Sequence, residues 1–147
     1  MGTRVFDIVV PWRILSLACY ILGLVSLRLE VDPYVYASLA QRYRKVDFET
    51  NKSQFETLLG VAIALTSIEA VSMLSAVSLF SAFVCTWSAL LHSMGAVALF
   101  AMMLRRADYR YIEWIWIWAS LVPLLLELGT AWWHSNIHIT LRLPRRS

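Results

Sequence analysis

A chain of 147 residues that is 59% hydrophobic and 16% charged cannot present the surface of a soluble domain, which carries about a quarter charged residues. Its net charge of +3 comes from basic residues in connections and at the chain's end, where they meet lipid head groups or set topology rather than nucleic acid. The apolar residues fall into four blocks, near 10–29, 57–80, 83–104 and 112–134, and a bilayer core of ~30 Å needs about 20 such residues per helix. The expected fold is an all-α, integral membrane four-helix bundle with antiparallel helices, one membrane domain over 1–147 and no soluble domain.

The first block opens at Pro11 and Trp12, a proline suited to a first helical turn and a tryptophan suited to the head-group zone. Arg4 and Arg13 give it the flank of a signal peptide, but no small-residue cleavage site follows, so it reads as a retained span. Arg13 sits just inside the block and is expected to snorkel outward. Cys19 and Cys85 lie in or beside apolar blocks, with neither the spacing of a metal site nor that of a disulfide framework.

Residues 31–55 form the only sizeable connection. They read as a solvated loop with anchoring aromatics, with a short surface helix over 36–44 as the alternative. Asn51-Lys52-Ser53 is an N-glycosylation sequon, so a sugar on Asn51 would place this loop outside the cytoplasm.

The second and third blocks meet at Ser81 and Ala82, which predicts a tight antiparallel hairpin, and the short stretch 105–111 predicts another. Arg4, Arg13, Arg142, Arg145 and Arg146 share one side of the membrane. Arg28, Arg42, Arg44, Lys45, Lys52, Arg105, Arg106 and Arg110 share the other, which on the positive-inside rule favours termini outside.

Three ionisable residues fall inside the later spans: Glu69, His92 and Glu127. At ~1.5 Å per residue, Glu69 lies ~20 Å and His92 ~15 Å from the 81–82 turn, close enough in depth to touch. Glu127 follows Pro123 by four residues, and Pro123 removes a backbone donor and predicts a kink. Such residues serve either a proton or ion path or interhelical hydrogen bonds that pin a bundle. The second use is favoured, because four short helices without an internal repeat leave little room for a substrate cavity.

Small residues crowd the second span, among them Ser72, Ser75, Ala76 and Ser78, and such residues let helix backbones approach closely. Aromatic residues gather at both ends of the fourth span, with Trp114, Trp116 and Trp118 at the start and Trp132 and Trp133 at the close. That is an interfacial belt. Phosphate loops and nucleophile elbows are absent, and His134 and His138 lack a third ligand, so no enzyme and no cofactor is expected.

The segment EAVSMLSAVSLF over residues 69–80 resembles the second span of the transmembrane protein 107 family. The similarity continues through His92, Val97-Ala98-Leu99, the Tyr-Trp-rich start of the fourth span, Pro123 and Glu127. Val10, Pro11, Arg13 and Leu15 also look like that family's start. The resemblance implies a four-span protein of the ciliary transition zone without enzymatic activity. It would act with the Meckel–Gruber/Joubert (MKS) module, including tectonic-type and B9/C2-domain proteins, in cilium assembly and in gating membrane-protein access to the cilium. It also implies cytoplasmic termini and an outside position for 31–55; Arg145 and Arg146 suit that orientation, whereas Arg105, Arg106 and Arg110 do not. The alternative from the residues alone is a small proton-coupled channel or transporter using Glu69, His92 and Glu127.

Overall fold

The computed structural model describes residues 2–39, 44–74 and 81–142, with side chains over 7–39, 44–73 and 81–133. Ser75, Ala76, Ser78, Arg42, Arg145 and Arg146 lie outside the described residues, as do the side chains of His134, His138 and Arg142. The helices are α1 (Gly2–Leu29), α2 (Asp32–Ser38), α3 (Lys45–Leu74), α4 (Ala82–Arg105), α5 (Tyr111–Trp116) and α6 (Val122–Arg142), with a π-helical turn, Ile117–Leu121, joining the last two. Asp7–Leu29, Lys45–Met73, Ala82–Arg105 and Tyr111–Trp133 are each long and apolar enough to cross a bilayer. The fold is an all-α membrane bundle of four spans.

Several boundaries differ from expectation for local reasons. Pro11 lies inside α1 rather than at its start; the donor it lacks would have served the carbonyl of the exposed Asp7, where polar surroundings can replace it. The 31–55 connection is mostly helix. α2 starts with Asp32 and Pro33, residues suited to a first turn. It turns Tyr34 and Val35 inward and ends at Ser38, and residues 40–43 of the alternative surface helix lie outside the described residues. α3 already begins at Lys45, where Asp47 accepts a hydrogen bond from the Arg44 backbone N–H at 3.2 Å, half of a capping box. At 30 residues it measures ~45 Å, so its first turns project beyond a ~30 Å core.

α4 is capped at both ends. The Ser81 hydroxyl accepts from the Val84 N–H at 3.4 Å. Arg106 closes the helix in the left-handed region at φ 45°, and the Ala107 N–H returns to the Met102 carbonyl at 3.1 Å. The π-turn ends two residues before Pro123. A proline there offers no N–H to the carbonyl of Ala119 and crowds it sterically. The widened turn, in which Val122 N–H reaches back to Ile117, accommodates both effects.

α1 packs mainly on α4 and also on α3, while α6 and the π-turn pack on the same two helices. Among the described residues α3 and α4 therefore meet through side chains across the bundle rather than as the closely packed hairpin expected from the 81–82 turn. Gly95 permits the closest approach: a Cβ there would lie 2.4 Å from Ala119 Cβ and 2.9 Å from the Tyr20 ring. Toward the α2 end the core is apolar, built on Leu24, Leu27, Phe55, Leu59, Leu99 and Ile112. An aromatic cluster caps it, with ring centroids 6.1 Å apart for Tyr34–Phe55 and 5.4 Å for Phe55–Tyr109. The outward faces carry Leu22, Met94, Val97, Phe100, Trp114, Trp118, Trp132 and Trp133, all exposed and suited to lipid.

Candidate functional site

The opposite half of the bundle is polar inside. Arg13, Glu69 and His92 are fully buried and Glu127 is 2% exposed. Each comes from a different long helix: α1, α3, α4 and α6 in turn. Arg13 does not snorkel. A guanidinium reaching the near surface could have kept its water, but two acids await this one inside. Its Nη2 donates to Glu127 Oε1 and lies 3.4 Å from Glu69 Oε1, and its Nη1 is 3.7 Å from the Cys85 sulfur.

Glu69 Oε1 is the hub. Besides Arg13 it accepts from the Ser88 hydroxyl at 2.7 Å and faces His92 Nε2 at 3.0 Å. The contact suggested by the similar depths of Glu69 and His92 is therefore present. Ser72 donates to Glu127 Oε2, joining α3 to α6 beside the ion pair. Among the described residues Glu69 Oε2 and His92 Nδ1 are buried without a hydrogen-bond partner.

A second polar layer lies two helical turns farther along α1. Tyr20 OH and Ser120 Oγ are 3.0 Å apart, and Thr66 Oγ1 donates to Ser120 at 3.2 Å. The Tyr20 ring lies 5.6 Å from the His92 ring, so the two layers touch. The π-turn carries Ser120 and Ala119 inward, which gives Pro123 a part in the site without any contact of its own to the ions. Trp12 Nε1 donates to Ser93 at 3.1 Å, tying α1 to the middle of α4.

In lipid an isolated charge at this depth costs ~3 to more than 10 kcal/mol. Pairing Arg13 with two carboxylates offsets much of that, and the hydroxyls of Ser72 and Ser88 supply further donors. The arrangement holds four helices in one register. No group of three His, Cys, Asp or Glu able to hold a metal occurs among the described residues. Asn51 stands apart, half-buried in the second turn of α3 on the α2 side.

Arg13 is the residue that sequence reasoning misplaced. The available signal was charge balance: two acids within apolar spans call for a cation at matching depth. Arg13 precedes the end of its span by 16 residues, as Glu69 and Glu127 are far from the opposite ends of theirs.

Together these features define a helical membrane protein of four spans, stitched internally by one ion cluster. Its family follows from the sequence itself: a model of the TMEM107 family, described as a transmembrane protein, matches residues 9–131, which include Arg13, Glu69, His92 and Glu127. The chain belongs to the TMEM107 family. No curated protein and no solved structure matches it.

Proposed function

We propose that this chain is a non-enzymatic scaffold of the ciliary transition-zone membrane. It supports cilium assembly and the gating of ciliary membrane composition with MKS-module proteins of the tectonic and B9/C2 types. Family membership supports the setting. The single observation that supports the mechanism is the Arg13 cluster, because the intramembrane acids are engaged in holding α1, α3, α4 and α6 together. What the bundle then offers a partner is its lateral surface and its two membrane boundaries. The orientation that goes with this reading has cytoplasmic termini and α2, with Asn51, on the outer side.

The test is localisation of a tagged full-length chain in ciliated cells, with co-purification from the same cells. A ring at the ciliary base and recovery of tectonic-type or B9/C2 partners are expected; diffuse plasma-membrane or reticular signal without those partners overturns the proposal. Reconstituted vesicles provide a second check. Proton flux abolished by Glu69→Gln would replace scaffolding with transport.

A further inference from the structure

Gly95 brings α4 so close to the π-turn that a Cβ there would lie 2.4 Å from Ala119 Cβ. Beside that contact lies an apolar groove of about 220 Å³, with Met94 and Ala98 on one wall and Trp114 and Trp118 on the other. Met94, Trp114 and Trp118 are exposed, so the groove opens sideways to lipid.

Both walls lead to arginine. Arg105 follows Ala98 by seven residues, two helical turns, and shares its face of α4. Arg110 precedes Trp114 by four residues at the start of α5 and so heads the other wall. Between them Arg106 reverses the chain in the left-handed conformation. All three are exposed, and among the described residues none has a carboxylate within ion-pair distance. Asp108, the acid nearest in sequence, accepts instead from the Arg110 backbone N–H at 2.9 Å. Glu113 is the other acid in this stretch, so residues 105–113 keep a surplus of positive charge at the membrane boundary.

We propose that this groove and its arginines form a binding site for one phospholipid with an acidic head group. An acyl chain lies against Trp114, Trp118 and Met94, while Arg105 and Arg110 hold the phosphate. The depths agree. At ~1.5 Å per residue the α4 wall from Leu91 to Ala98 lies ~10–20 Å beneath Arg105. In a core ~30 Å thick, that is where the chains of the adjoining leaflet end. Ala101, exposed and small, leaves the path from groove to arginine open. The volume suits a hydrocarbon chain, since compact ligands take pockets of ~300–1,000 Å³ and a helix ~10–12 Å across would rest on the tryptophans. Guanidinium groups match phosphate in both charge and geometry, and basic pockets between spans are places where acidic head groups bind. The site depends on neither the ciliary setting nor the orientation proposed above.

The experiment uses the full chain in detergent, supplied with equal amounts of phosphatidylserine and phosphatidylcholine of identical chains and read by native mass spectrometry. One retained phosphatidylserine, in preference to phosphatidylcholine, is expected. Arg105→Gln and Arg110→Gln should each lower its retention about fivefold, with the unfolding curve unchanged because both side chains are exposed. Arg28→Gln with Lys45→Gln removes two charges from the same end away from the groove and should leave retention as it was. Equal retention of the two lipids, or equal losses in the two double variants, overturns the proposal. Tryptophan fluorescence locates the chain without altering the arginines. Phosphatidylserine with brominated chains should quench more than brominated phosphatidylcholine, and Trp114→Phe with Trp118→Phe should abolish the excess. An excess that survives this pair of substitutions puts the lipid elsewhere and overturns the proposal.

Discussion

The two halves of this bundle solve one packing problem by different means. Around Phe55, Leu59, Leu99 and Ile112 the helices are joined by apolar and aromatic contact, which is adaptable and roughly proportional to the surface covered. Around Arg13 they are joined by a few directional bonds among groups that lipid would reject. The apolar half can lose an atom and settle. The polar half has little such freedom, since removing one member leaves the others charged and unmatched.

This contrast can be broken most directly at Arg13. Arg13→Met strands two buried acids and should destabilise the bundle by about 3–5 kcal/mol, measured by unfolding in detergent or nanodiscs. Adding Glu69→Gln and Glu127→Gln to it should restore most of the loss. If the single variant is as stable as the parent, the two halves do not differ in kind. Phe55→Ala in the apolar half should cost about 3 kcal/mol, with no charge-neutralising partner able to rescue it. Gly95→Ala probes the boundary between the halves, where 2.4 Å to Ala119 leaves no room for a methyl group; about 1–3 kcal/mol is expected, seen as a lowered melting temperature. Tyr20→Phe, which removes the hydroxyl beside Ser120 but keeps the ring, should cost about 1 kcal/mol. Smallest of all, Lys52→Ala removes a surface contact to Asp32 and should leave the unfolding curve unchanged.

Sequence revealed most where the signal is averaged over a whole helix. Four apolar blocks of bilayer length specified the spans, and Pro123 specified a departure from α geometry, realised as the π-turn. The 31–55 region was harder. Its polar residues suggest a loop when composition is weighed, whereas the inward spacing of Phe48, Phe55 and Leu59 along α3 becomes informative only once Tyr34 and Tyr109 are known to face them. Glu69 and His92 could be paired by depth because a short connection separates their helices. Arg13 could not, since its partner Glu127 lies 114 residues away and no local pattern links the two. The diagonal placement of α3 and α4 was equally hidden, because a short connection fixes direction but not how closely two helices lie.

That separation also governs how the protein is made. α1 leaves the ribosome first, carrying an arginine inside an apolar span, which a translocon disfavours, and Glu127 becomes available only after the other three long helices have been synthesised. The first span therefore gains Glu69 when α3 is made and Glu127 only with the last span. A chain truncated after α4 keeps Glu69 for Arg13 but lacks the second carboxylate, Glu127. Completion of α6 is therefore the step that supplies the second carboxylate of the cluster.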